Sequence, residues 1–281
     1  MKNTQYAIRN TQYAIRNTRH TIKSLYTPAL AEGEGVGTAY EYFAKRLVLR
    51  PWLKRLPPIK RMLIAGLPEK YGSSLDFLLL AEELGAAAVV VDERPEAIEK
   101  LQDSLAAAQS QNWLTSCQPE TRVVADVSAL AEMESSFDLV VSSEVLQRLA
   151  ETGRQVYVKR VMELGTAVAL FCPNAGNPAH TNLSGLNGLY LRELEALVAQ
   201  SSPTRPVTVS PGHLVTVSGY IDMPPFPPGI VRNEEQRAQA NSGRLAAFAM
   251  WGLGYYARLE KLIPTSIRRR QSHIVYALWR A

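Results

Sequence analysis

Several small signals fall in an order that could build a site for a nucleoside. The apolar run Met62-Leu-Ile-Ala-Gly66 ends in a glycine, where the absent Cβ lets a backbone approach a ligand closely. Val89-Val-Val-Asp92 ends in an acid 26 residues further on. A carboxylate at a strand end is placed to accept hydrogen bonds from both hydroxyls of a ribose, and is equally suited to capping the helix that follows. Arg122-Val-Val-Ala-Asp126 closes another strand with an acid able to accept from an adenine amino group. Two longer stretches complete the set. Residues 137–149, FDLVVSSEVLQRL, run from turn to strand to helix, and 161–174, VMELGTAVALFCPN, read as a helix, a Gly turn and a strand closing in Pro-Asn.

The elements that must position these residues alternate. Strand-like segments are expected at 61–66, 87–92, 122–125, 139–142 and 166–172, with helices at 73–84, 95–108, 154–163 and 189–200 between and after them. Pro95 sits at the first turn of its helix. Such alternation implies a parallel sheet covered on both faces. A helix is expected before the Pro57-Pro58 break, over 38–56, from Tyr40, Phe43, Leu47, Leu49 and Trp52. After 206–209 and 215–221, which read as one irregular strand or a pair, comes the breaker-rich Met223-Pro-Pro-Phe-Pro-Pro-Gly229. A helix over 234–262 then presents Leu245, Phe248, Trp251, Tyr255 and Leu259 on one face, and 272–279 alternates as a last strand.

The 281 residues, 46% hydrophobic and 20% charged, have the composition of an ordinary globular protein with a substantial core. No apolar run reaches the roughly 18 to 20 residues of a membrane-spanning helix. Cys117 and Cys172 stand in unrelated contexts, which suggests neither a metal cluster nor a disulfide framework and fits a reducing cytoplasm. The start repeats itself: Asn3–Arg9 recurs as Asn10–Arg16 and, decayed, over 17–23, so residues 1–31 are expected to form a poorly ordered tail or a lone frayed helix. The formal charge of +5 is uneven, with Lys2, Arg9, Arg16, Arg19 and Lys23 in that acid-free start and Arg268–Arg270 near the other end. These clusters suit solvent or an anionic membrane surface. They lie mostly outside the expected core, and no RNA-binding motif is visible, so nucleic acid is not the expected partner.

Between about residues 60 and 200 the chain resembles the class I S-adenosylmethionine-dependent methyltransferases, in particular their small-molecule branch. The likeness rests on 89–101, VVVDERPEAIEKL, with 137–149 and 161–174 above. It implies a Rossmann-like α/β fold with a mostly parallel seven-stranded sheet, helices on both faces and a helical insertion before the last strand. The domain would span 38–281, and S-adenosylmethionine would be its cofactor. By that likeness Asp92 holds the ribose with Glu93 beside it, and Asp126 and Val127 sit by the adenine. Gly66 borders the methionine moiety, and Ser142, Ser143 and Glu144 line the methyl-donor pocket. One departure matters. The family's first turn is Gly-rich with an acid two residues before it, whereas here that acid's place is Ile64 and the turn reads Gly66-Leu-Pro-Glu-Lys-Tyr-Gly72. Pro68 fixes φ and lacks an N–H, so the turn offers fewer donors. Either Glu69 or Tyr71 substitutes in cofactor binding, with Gly72 beside them, or the site is weakened or dead.

Methyl transfer from a sulfonium is an in-line displacement that requires alignment and exclusion of water. An acceptor hydroxyl also needs a base, and His180 in Asn177-Pro-Ala-His-Thr follows a strand at the ligand-binding edge; a loop histidine without a role fits the same pattern. Asn174 ends that strand as a candidate substrate contact. The excursion over 222–271 should leave from the same edge, as a lid or acceptor pocket in which Trp251 and Tyr255 contact an apolar substrate. The expected activity is methyl transfer to a small-molecule, lipid or glycan-type acceptor. Two alternatives remain: a catalytically silent binding protein, suggested by the altered turn, and a nicotinamide-dependent oxidoreductase, disfavoured because 66–72 lacks Gly-x-Gly-x-x-Gly.

Overall fold

A computed structural model describes residues 21–32, 35–69, 74–133, 136–202, 216–225 and 244–281. The elements are α1 (Ile22–Ala31), α2 (Val36–Leu53), β1 (Arg61–Ala65), α3 (Leu75–Leu84), β2 (Ala87–Asp92), α4 (Pro95–Ser110), β3 (Glu120–Val123) and β4 (Leu139–Ser143). A 3-10 turn (Leu146–Arg148), α5 (Glu151–Leu164), β5 (Ala167–Pro173), α6 (Pro178–Ser184), α7 (Leu191–Ser201) and β6 (Val217–Ile221) follow. The chain ends with α8 (Arg244–Leu259), a second 3-10 turn (Glu260–Leu262), α9 (Thr265–Gln271) and β7 (Ile274–Arg280).

The seven strands lie in the order β3-β2-β1-β4-β5-β7-β6. β1 to β5 are parallel, and β7 runs antiparallel to both β5 and β6. Every residue of β4 and β5 is buried, which is why β5 and the first three residues of β4 are apolar runs rather than alternating ones. One face of the sheet packs on α1 to α4 through Leu25, Tyr40, Phe77, Leu101 and Phe171. The other packs on α5 and α7 through Tyr157, Val161, Leu194 and Trp279. Pro95 starts α4, and α3 stops at Gly85 in the left-handed region (φ +65°), where an L side chain would be strained. No described helix is long and apolar enough to cross a membrane, and both cysteines are buried thiols.

The start of the chain departs from expectation. Residues 22–31 form a packed helix: Thr21 caps it through Ser24 N–H, and Ile22, Leu25 and Ala29 are buried in the core. Duplication of the repeat signalled weak constraint, yet its last decayed copy supplies Ile22; residues 1–20 lie outside those described. The third strand sits two residues earlier than read, and the short helix α6 was not foreseen. The expected strand at 206–209 and the first part of the 234–262 helix also lie outside the described residues.

Candidate functional site

Parallel strands deliver their carboxyl ends to one edge, so Gly66, Asp92, Glu144 and Asn174 come together there although far apart in the chain. β6 runs with them and β7 against them, which brings Asp222 and His273 to the same edge.

On the β1–β2 side, Gly66 adopts φ +81° while its N–H donates to Val91 C=O (2.8 Å), and a Cβ there would lie 2.7 Å from a Val145 methyl. Asp92 is fully buried, with both oxygens engaged. Oδ1 accepts from Arg94 N–H (2.9 Å) and Arg94 Nε (2.8 Å). Oδ2 accepts from Leu67 N–H (2.7 Å), Arg94 Nη2 (3.1 Å) and Arg148 Nη2 (2.9 Å). Burial alone would raise its pKa, but the bonds from Arg94 and Leu67 and the charge of Arg148 outweigh it and hold the carboxyl below its ordinary value. Arg94 also donates to the carbonyls of Leu67, Pro68 and Glu69, filling the turn where the sequence lacks glycines. Arg148 reaches Glu93 Oε1 at 2.9 Å, and Glu93 Oε2 accepts from Val127 N–H at 3.0 Å. Asp126 is exposed and turned onto its own loop, accepting from Ser128 N–H (2.7 Å) and Oγ (2.8 Å), which keeps its pKa low.

On the β4–β5 side, strand alternation sends Ser142 and Ser143 to opposite faces. Ser142 Oγ bonds the Tyr157 hydroxyl (2.7 Å), which also donates to Ala65 C=O. Ser143 Oγ accepts from Lys45 Nζ (2.9 Å), projecting from α2. That ammonium is buried beside Glu41 (2.5 Å) and Asp76 (3.8 Å), over the rings of Phe77 and Phe171. Burial opposes its charge, yet Glu41, Asp76 and Glu144 raise its pKa above the usual lysine value. Glu144 follows with φ +55°, its carbonyl accepting from Gln147 Nε2, which also reaches Glu69 Oε2 at 3.2 Å.

The polar cluster continues at the β6–β7 end of this edge. His273 Nδ1 lies 3.1 Å from Asp222 Oδ2, and its ring stacks on His180 at 4.2 Å between centroids. Burial lowers the His273 pKa, but the charge and hydrogen bond of Asp222 more than reverse this. His180 is pushed down to about 4 by burial and by its histidine neighbour. Glu260 accepts from the Tyr40 hydroxyl and from Met223 N–H (2.9 Å), and burial pushes it up to about 7.

The expected residues therefore divide. Gly66, Glu69, Asp92, Glu93 and Val127 form one connected group, and Ser143, Glu144 and His180 lie on the other side of the edge. Asn174 is fully buried and spends its amide on the carbonyls of Arg269 and Ser272 and its oxygen on Gly176 N–H, so it ties down the segment before β7. Trp251 and Tyr255 are 58% and 53% exposed and pack on each other at 4.5 Å on the outer side of α8. Tyr71 and Gly72 lie outside the described residues. Sequence reading missed Arg94, Arg148, Lys45 and the pairing of His273 with Asp222. The Glu41/Lys45 spacing of four was legible as a helical ion pair, but not its burial.

No family model and no curated protein matches the chain. Solved structures do. A SAM-dependent methyltransferase from Archaeoglobus fulgidus is 12% identical with a TM-score of 0.50, covering 86% of this chain and 94% of its own. The methyltransferase domain of bacterial CtHen1 is 11% identical with a TM-score of 0.49, covering 86% and 98%. The magnesium protoporphyrin IX methyltransferase of Synechocystis, solved with bound SAM, is 13% identical with a TM-score of 0.45, covering 87% and 79%. The chain has the Rossmann-like fold of the class I methyltransferases, with one antiparallel strand, β7, between β5 and β6 in an otherwise parallel sheet.

Proposed function

We propose that the chain binds S-adenosylmethionine at the carboxyl edge of its sheet and transfers the methyl group to a small-molecule, lipid or glycan-type acceptor. The observation that carries this reading is how the two groups assigned to the nucleoside are satisfied. Asp92 receives donors, as it would from ribose hydroxyls, and Val127 N–H meets an acceptor, as it would at an adenine ring nitrogen. Internal side chains thus stand in with the same hydrogen-bonding sense, which supports a nucleoside site at these residues. Asp92 would hold the ribose, Glu93, Asp126 and Val127 the adenine side, and Gly66 with Glu69 the methionine side. When bound, the cofactor supplies a methyl group on an electron-poor sulfonium.

The acceptor belongs on the β4–β5 side, beside Ser143 and Glu144. The Asp222–His273 pair is the candidate base there, because a carboxylate on Nδ1 orients the ring and stabilises its protonated form. His180, neutral at physiological pH with its pKa near 4, serves better as the wall that fixes the His273 ring than as the base first expected from the sequence. Lys45, projecting from α2 and held by Asp76, positions Ser143.

A second reading, a catalytically silent binding protein, is favoured by the five donors already on Asp92 and by Pro68 in the turn. Isothermal calorimetry with S-adenosylhomocysteine separates the two. Saturable one-to-one binding is expected, and absence of heat at millimolar ligand overturns the enzyme.

A further inference from the structure

The nucleoside seat described above is closed from within, and the closure has a definite structure. Arg94 makes two side-chain contacts to Asp92 and three to the carbonyls of residues 67–69, so one guanidinium joins the tip of β2 to the turn after β1. Arg148 bridges Asp92 and Glu93 from the turn after β4, and Glu93 in turn covers Val127 N–H. A carboxylate has about four lone-pair positions, and Asp92 already accepts five bonds, so it has no capacity for an added diol. The two side chains differ in how they are tied. Arg94 is 23% exposed and is paired with Asp92, whereas Arg148 is 10% exposed and keeps Glu93 whatever happens at Asp92.

We propose that Arg94 is an affinity-setting residue: its guanidinium holds the ribose position of Asp92 in the unliganded protein, and a nucleoside enters only when that side chain swings out. This rests on the assignment of Asp92 to the ribose. It accounts for the glycine-poor first turn, because a turn whose carbonyls are held by an arginine needs fewer amide donors and less backbone freedom. The linkage is simple. If only a fraction of molecules has Arg94 displaced, the apparent dissociation constant is the intrinsic one divided by that fraction. Removing the side chain returns the lost affinity, while Arg148 and Leu67 N–H continue to compensate the buried carboxylate.

The test is calorimetric binding of S-adenosylhomocysteine to the wild-type chain and to Arg94→Ala, with Arg94→Lys as the milder variant should the first fail to fold. Lysine keeps the charge but cannot join Asp92 to three carbonyls at once. At least about tenfold tighter binding to Arg94→Ala, with Arg94→Lys between, is expected. Binding by the variant where the wild type shows none also upholds the closure, while removing the enzyme reading. Equal affinities overturn the closure and leave the nucleoside assignment standing. Binding by neither protein overturns both. A readout on the wild type needs no variant: the Arg94 Nε–H resonance should be protected from solvent exchange in the free protein and lose that protection on saturation with ligand, and unchanged protection overturns the proposal.

Discussion

Arg148 Nη2 lies 2.9 Å from Asp92 Oδ2, so the turn after β4 is ion-paired to the tip of β2 across the intervening β1. With one partner fully buried and the other nearly so, the pair cannot be treated as a solvent-screened surface contact. Asp92→Asn keeps the shape and removes the charge, leaving Arg94 without its counter-ion. Urea denaturation at neutral pH should show a loss of about 3 kcal/mol. Because the folded carboxyl titrates below its ordinary value, this contribution is present above the unfolded pKa near 3.9 and is lost as pH falls through the folded one. The difference between the two proteins should therefore shrink in acid, and a constant difference would place the effect in packing.

Gly66 is the second point where the edge leaves no slack. An alanine there must adopt φ near +81° and place its Cβ 2.7 Å from Val145 Cγ2. The left-handed conformation and the overpacking together should cost about 3 kcal/mol. Gly66→Ala combined with Val145→Ala should recover the steric part and keep the conformational part, a non-additivity that thermal melts of the single and double variants can read.

The stacked histidines should titrate apart. Imidazole resonances followed by NMR should place His180 near pH 4 and His273 above its ordinary value of 6.5. Asp222→Asn removes the charge that raises His273 and should bring its titration down. Two overlapping titrations near 6.5 would contradict the buried arrangement.

Glu260, buried and pushed up to about 7, retains a proton in the folded chain at pH values where the unfolded chain has released it. Its stabilising contribution is complete below pH 4.5 and is lost as pH rises through 7. Glu260→Gln preserves an acceptor for Tyr40 and Met223 while abolishing the titration. Relative to the variant, the wild type should lose at most about 3 kcal/mol between pH 4.5 and 7. His180, depressed to about 4, acts in the opposite sense over an overlapping range, but it is present in both proteins and cancels in the comparison.

The sheet and the polarity of its strands are legible in local patterning. Runs such as 62–65, 88–91 and 139–141 are apolar throughout because strands covered on both faces have no solvent side, and the helices between them enforce parallel crossovers. That polarity was enough to bring Gly66, Asp92 and Glu144 to one edge. What those residues touch is set by long-range packing. Asp92 read as an open acid because local patterning counts a carboxylate without its partners, and Arg148 lies 56 positions away in another loop. The partners of Lys45, Asp222 and His273 were illegible for the same reason: hydrogen bonding across distant segments has no period along the chain. Asn174 and Tyr255 show the converse, since residue type proposed a contact at each, and packing turned the first onto the backbone of 269–272 and left the second half exposed.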